Sequence, residues 1–263
     1  MTAFLGVILS LAATGGNPPL IEGRGDPAPG LLVNRTVGTR PFDAPDPSRP
    51  TIVFIHGINP LPGVVRFGMA ERLAEAIARR YGADAFNVLD WDWNAATLPS
   101  LRHRTCTNAA VEQGRRLASA LIGAGIAPGR VHLVGHSAGG LVAASAARTL
   151  AGETGARVAH VTFLDAARCT HDAIFRELAV VGSADRVENY WTLGLSAFGC
   201  KAGVPGVVDV RVDHQTPYSG VVIPSRSGHV RIVRWYIDTV EKPSSETGFN
   251  TSALLVRSIK LSP

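Results

Sequence analysis

Arg130-Val131-His132-Leu133-Val134-Gly135-His136-Ser137-Ala138-Gly139-Gly140-Leu141-Val142-Ala143-Ala144-Ser145-Ala146-Ala147 decides how this chain is read. Its first five residues form a short apolar strand candidate, and its last eight an Ala-rich helix candidate. Gly135 to Gly139 join them as a G-x-S-x-G turn. A serine on so sharp a turn between strand and helix is exposed at a helix N-terminus, where backbone N–H groups and the helix dipole favour developing negative charge. A side chain at Gly135 or Gly139 would crowd the neighbouring strand and helix. Ser137 is therefore the candidate nucleophile. Without chemistry, the same pattern is a tight turn.

The pattern extends outward in both directions. Thr51 to Ile55 is a continuous apolar run ended by His56-Gly57, as expected of a fully buried parallel strand. Arg66 to Tyr81 places Met69, Leu73, Ile77 and Tyr81 in one helical stripe. Further strands are expected at Phe86–Trp91, Val158–Leu164, Val187–Trp191 and Val207–Val212. Further helices are expected at Ala109–Ile122, His171–Val181 and Val230–Val240. The Gly-, Pro- and Asp-rich entry from Asn17 to Pro50 holds one strand candidate, Leu31–Val37, and Ala253–Val256 is a candidate edge strand. Strands alternating with helices imply an α/β fold: a mostly parallel central sheet with helices on both faces.

At 263 residues, with 46% hydrophobic and 18% charged, the chain suits one large α/β domain with a substantial core. Its basic residues are scattered and never interleaved with aromatics, which argues against nucleic-acid binding despite a net charge of +5. Ala3 to Ala13 is apolar but too short to span a bilayer, and no other stretch is a transmembrane candidate. Residues 1–16 fit a signal peptide lacking a basic start, which implies a secreted or periplasmic protein with residues 17–263 as its single domain. The other reading is a buried N-terminal element in a cytoplasmic protein. Cys106, Cys169 and Cys200 form no C-x-x-C pair, so zinc or redox chemistry is not expected. After export a Cys169–Cys200 bridge is expected, because both residues follow strands expected to be neighbours. Cys106–Cys169 competes with it, and three reduced thiols are expected without export.

A serine needs a base, and the base an orienting acid. His229 follows the loop Ser225-Arg226-Ser227-Gly228 and precedes the closing helix, which is where the base belongs in such a fold; His214 is the alternative. Asp165 ends the first strand after the serine and is the candidate acid. Asp209 and Asp213, then Asp172 and Asp185, stay open. The oxyanion hole needs two converging N–H groups. Ala138 offers one and Ile58 the other, with Gly57 the alternative.

Four segments, in order, resemble the α/β-hydrolase superfamily and, within it, lipases of the pancreatic-lipase type. Phe54-Ile55-His56-Gly57 resembles the oxyanion loop, and Leu89-Asp90-Trp91 the V-D-W strand. Val131 to Gly139 resembles the elbow, and Phe163-Leu164-Asp165-Ala166-Ala167 the L-D-P-A segment that carries the acid. The resemblance covers roughly residues 50 to 240. It implies an α/β-hydrolase fold and favours Asp165. Ala166 stands where that family has proline, and only Cys200 lies between Trp191 and His229, so the cysteine-bracketed lid is missing. That departure points to a small esterase with an open cleft. The loop from Asn94 to Asn108, with Leu98, Leu101 and Cys106, is a candidate partial cover.

The resulting expectation is a serine hydrolase cleaving a small-molecule ester or lipid through an acyl-enzyme, with no cofactor and no metal. An acyltransferase, thioesterase or amidase would use the same residues. The contrasting class is a non-catalytic binding protein built on the same fold.

Overall fold

The computed structural model describes residues 30–58, 68–97, 103–193, 198–212, 228–242 and 246–255, with the side chains of 97 and 103–107 excepted. Seven strands form one sheet: β1 (Leu31–Asn34), β2 (Thr51–Ile55), β3 (Asn87–Asp92), β4 (Val131–His136), β5 (His160–Leu164), β6 (Val187–Trp191) and β7 (Val207–Arg211). Their spatial order is β1-β3-β2-β4-β5-β6-β7. Among the described strands only β1 runs antiparallel, pairing with β3; every other neighbour is parallel.

The helices cover both faces, which explains the unbroken apolar runs. In β2, Val53 and Ile55 face α3 (His103–Gly123) and α4 (Gly139–Thr154), whereas Ile52 and Phe54 face α1 (Met69–Tyr81) and α6 (Gly228–Val240). Strands buried on both sides are mostly apolar, and the polar residues they do carry, such as His132, His160 and Glu188, are buried among partners. The α1 stripe behaves as its spacing requires: Met69, Leu73 and Ile77 are buried, and Tyr81 packs on the same cluster. Each buried aliphatic side chain there contributes about 1.5–3 kcal/mol.

After β3 the chain crosses β2 to lay down β4, so the strand order reverses between β2 and β4. Open α/β sheets bind ligands at the carboxyl ends of the strands flanking such a reversal. The segment His56–Ile58 after β2 and the turn at Ser137 after β4 therefore lie side by side.

Several elements differ from the sequence expectation. Helix α3 begins at His103, and α2 (Asn94–Thr97) precedes it, so the expected loop from Asn94 to Asn108 is largely helical. The continuous helix expected at His171–Val181 is broken. A π-helical stretch spans Ala173–Glu177, Ala179 takes a left-handed conformation, and α5 (Val180–Ser183) follows. The looser π turn lets both Ile174 and Phe175 reach the core, with Phe175 edge-on to Phe163 at 5.4 Å. Residues 253–255 form a helical turn instead of an edge strand, because Ser252 is buried and bound to His132 while Leu254 enters the core. Residues 1–16 lie outside the described residues. No helix among the described residues is long and apolar enough to cross a membrane.

A buried polar cluster at the amino-terminal half of the sheet fastens the last described segment. Glu188 of β6 is fully buried. It accepts hydrogen bonds from Arg186 at 2.7 Å, Thr251 at 2.8 Å and Tyr190 at 3.0 Å, and it stands 3.2 Å from His160 Nε2. Burial pushes its carboxyl upward, but these partners outweigh it and hold the group below its ordinary range. The His132 and His160 rings stack at 4.0 Å, and burial holds both below the ordinary imidazole range.

Candidate active site

Ser137 sits where β4 turns into α4, with φ 54°, a conformation that L-residues other than glycine rarely adopt. Ser137 N–H donates to Leu164 O at 3.1 Å, which ties the turn to β5. A Cβ at Gly139 would meet the carbonyl oxygens of Ile55 and His56, the latter at 2.6 Å. One at Gly135 would meet Gly139 O at 2.6 Å. The two glycines are thus fixed by close backbone approach.

Asp165 follows β5, is fully buried, and also has a positive φ, 47°. Two of the three non-glycine residues with positive φ among the described residues are therefore Ser137 and Asp165. Such strain persists only where the surroundings enforce it. Here they do so through hydrogen bonds. Asp165 Oδ1 accepts from Thr192 N–H at 3.2 Å and Gly199 N–H at 3.1 Å. Oδ2 accepts from Phe198 N–H at 3.0 Å and from His229 Nδ1 at 2.7 Å. Burial, the largest single influence, raises this carboxyl. The His229 bond and the backbone N–H groups together prevail and hold it below the ordinary carboxylate range. A Cβ at Gly199 would come within 2.5 Å of Asp165 Oδ1, so glycine is required there.

His229 lies in the first turn of α6, one residue inside the helix and not in the loop before it. Because a carboxylate can only accept, the 2.7 Å contact places an imidazole proton on Nδ1 and directs Nε2 away from Asp165. Phe198 meets the ring edge-on at 4.5 Å. His136, adjacent to the serine, also packs on the ring with centroids 4.4 Å apart, and its Nε2–H donates to His229 O at 2.9 Å. Burial first, then the neighbouring His229, pushes His136 down to about 3, so it is a neutral brace.

The other candidates have different partners. Asp209 on β7 accepts from Asn189, Ala202 and Gly203. Asp172 pairs with Arg176, and Asp185 with Arg157. Asp213 and His214 lie outside the described residues. Ala138 is buried immediately after Ser137, and Ile58 stands three residues past β2. Among the described residues, neither backbone N–H finds a protein acceptor.

Sequence reasoning missed the amides of Thr192, Phe198 and Gly199. Backbone donors leave no compositional trace, and the glycine at 199 was the only available signal. The expected Cys169–Cys200 bridge is overturned: both are free thiols. Asn189 Nδ2 holds Cys200 O at 2.9 Å, and the thiol lies 3.5 Å from His171 Nδ1 instead. The Cys106 side chain lies outside the described residues. Among the described residues no group of three or more His, Cys, Asp or Glu is placed to hold a metal ion.

No family model matches the sequence, and no curated protein matches it. Among solved structures, the chain is similar to a lidless α/β serine hydrolase from Xanthomonas campestris at 12% identity, covering 84% of this chain and 95% of that one, with a TM-score of 0.44. It is similar to a hyperthermophilic esterase from Pyrobaculum calidifontis at 14% identity, covering 92% and 97%, with a TM-score of 0.39. It is also similar to a puromycin-hydrolyzing peptidase from Mycobacterium tuberculosis at 15% identity and a TM-score of 0.43. That match covers 70% of this chain but only 33% of the peptidase, so the chain spans about a third of that protein's length. The fold is that of the α/β-hydrolases. It rests on the sheet order and on the strand–turn–helix at Ser137, since similarities this distant carry no argument.

Proposed function

We propose that this chain is a serine hydrolase that cleaves carboxylic esters through an acyl-enzyme. The supporting observation is the 2.7 Å bond between a fully buried, strained Asp165 and His229 Nδ1, beside a serine on a left-handed turn. In this reading Ser137 Oγ attacks the acyl carbon while His229 Nε2 takes its proton. The tetrahedral oxyanion accepts hydrogen bonds from Ile58 and Ala138 N–H. His229 then returns the proton to the leaving alcohol, and water repeats the sequence to release the acid. Asp165 keeps the imidazole in the required tautomer and stabilises the imidazolium. Export as a signal-peptide-bearing precursor, and kinship with pancreatic-type lipases, belong to the same proposal. The missing cysteine-bracketed lid favours short, water-soluble acyl chains.

The test is hydrolysis of p-nitrophenyl esters from acetate to palmitate by wild type and Ser137→Ala, with labelling by a fluorophosphonate mapped to its residue. Turnover falling with chain length, label on Ser137 and silence in a folded Ser137→Ala support the proposal. Label elsewhere, or activity surviving in Ser137→Ala, overturns it.

A further inference from the structure

Trp93 lies one residue past β3 and is completely buried. Nothing in its composition marks it as functional, yet it grips the segment after β2 twice. Its indole N–H donates to His56 O at 2.8 Å, and its backbone N–H donates to His56 Nε2 at 3.3 Å. The two rings stack with centroids 5.9 Å apart and planes 21° apart. Asp92 Oδ1 stands 3.6 Å from the same nitrogen, beyond hydrogen-bond length, and is partly exposed. Because a carbonyl oxygen can only accept, the 2.6 Å contact with Gly57 O places a His56 proton on Nδ1, which donates it.

That last bond fixes more than a carbonyl. Gly57 C=O and Ile58 N–H belong to one peptide unit, which is planar and trans. In such a unit the N–H points opposite to the C=O, so drawing the oxygen onto the His56 ring turns Ile58 N–H to the other side. Gly57 itself lies against the serine: a Cβ there would stand 2.7 Å from Ser137 Cβ and 3.2 Å from its Oγ.

We propose that Trp93 is a positioning residue for the oxyanion loop, acting through His56 to lock the Gly57–Ile58 peptide plane with Ile58 N–H directed at the space beside Ser137. The inference rests on the serine-hydrolase reading and deepens it. Trp93 touches no substrate; its contribution is to hold a donor in the orientation the transition state needs.

Three variants test it: Trp93→Phe, His56→Leu and His56→Asn. The asparagine Nδ2–H can take the place of the imidazole Nδ1–H, whereas leucine has no donor. The readouts are kcat and KM on p-nitrophenyl butyrate and Ki for a short-alkyl trifluoromethyl ketone, whose serine adduct carries the same oxyanion. Complete loss of one oxyanion donor costs about 10²- to 10³-fold, and loss of orientation should cost less. Trp93→Phe and His56→Leu should lower kcat about 10- to 100-fold with KM within about threefold, and weaken the ketone by the same factor as kcat. His56→Asn should stay within about threefold of wild type. Unchanged kcat in Trp93→Phe and His56→Leu, a loss confined to KM, an unaltered ketone Ki, or an asparagine as damaging as leucine would overturn the inference. If Trp93→Phe does not fold, the two His56 variants decide. A wild type without ester turnover or fluorophosphonate label at Ser137 removes the parent reading and this inference together. An active, labelled wild type with indifferent variants removes the inference alone.

Discussion

Replacing Asp165 by asparagine changes one oxygen into an NH₂ and leaves the shape intact, so its effect can be worked out atom by atom. The carboxylate accepts four hydrogen bonds, two on each oxygen. If the asparagine oxygen takes the Oδ1 place, the amides of Thr192 and Gly199 keep their acceptor. The NH₂ then faces Phe198 N–H and His229 Nδ1. The ring must present a lone pair at Nδ1, so its proton moves to Nε2, where it can no longer accept one from Ser137. If the oxygen takes the Oδ2 place instead, the NH₂ confronts the N–H groups of Thr192 and Gly199, two donors against donors in a buried site. The first arrangement is the less costly and the catalytically dead one. It leaves a buried donor unmatched, at about 1–3 kcal/mol, and lowers the melting temperature by about 4–8 °C for a 2 kcal/mol loss. The expected loss in kcat is about 10⁴, as in a comparable triad. The assay is kcat on p-nitrophenyl butyrate, with circular dichroism melts and mass spectrometry to exclude deamidation back to aspartate. Asp209→Asn is the control, because Asp209 holds Asn189, Ala202 and Gly203 and not His229. It should cost less than about tenfold in kcat while lowering the melting temperature. A folded Asp165→Asn within tenfold of wild type, with Asp209→Asn inactive, would refute the reasoning and move the acid to β7.

Gly199→Ala should lose both activity and stability, since its Cβ would come within 2.5 Å of Asp165 Oδ1; wild-type kinetics and melting would contradict the packing. Asp90 is pushed up to about 6, chiefly by burial. The folded state therefore keeps a proton that the unfolded chain loses near pH 4, and stability falls as pH rises from about 4 to 6. Asp90→Asn should remove that fall and raise stability at pH 8 by up to about 3 kcal/mol, with little effect at pH 4; denaturant titrations at the two pH values check it. Asp165 has the opposite sign: held low, its contribution is full above the ordinary carboxyl value near 4 and is lost as pH falls through the lower folded value. In acid melts, Asp165→Asn should accordingly lose less stability than wild type between about pH 5 and 2.

The strands were legible because both faces of the sheet are covered, which favours runs such as Ile52–Ile55 in which consecutive residues are apolar. Val187–Trp191 matches the observed strand residue for residue. The serine turn was legible because Gly135 and Gly139 are dictated by backbone oxygens that no side chain could pass. Helix details were not. His171–Val181 has helical spacing, but the π turn and the left-handed Ala179 answer to the core that Ile174 and Phe175 must fill. The cysteine pairing failed for a related reason. The loops after β5 and β6 do converge, with Arg168 N–H donating to Phe198 O at 2.8 Å, but Asn189 donates to Cys200 O, Asp209 accepts from Asn189 and Ala202, and the Cys200 thiol is left beside His171 with no bridge to Cys169. Trp93 escaped notice because tryptophan beside a strand is ordinarily core, and only the paths of its two N–H groups distinguish it.

The Glu188 cluster carries a consequence for how the chain is made. Thr251, which donates to the buried carboxylate, is 63 residues downstream. A ribosome adding 5–20 residues per second needs roughly 3–13 s to deliver it. Throughout that interval Glu188, Tyr190, His132 and His160 have been synthesised, while the turn that covers them in the folded structure has not. Water can hydrate those groups during the wait, so β4, β5 and β6 can pair before the carboxylate is sealed. The arrival of Gly248–Thr251 then expels that water and gives Tyr190 and Glu188 their remaining protein partners. The last described segment is thus also the last made of the contacts around Glu188, and a chain truncated before residue 248 would lack the donors that Gly248 and Thr251 give to Tyr190 and Glu188.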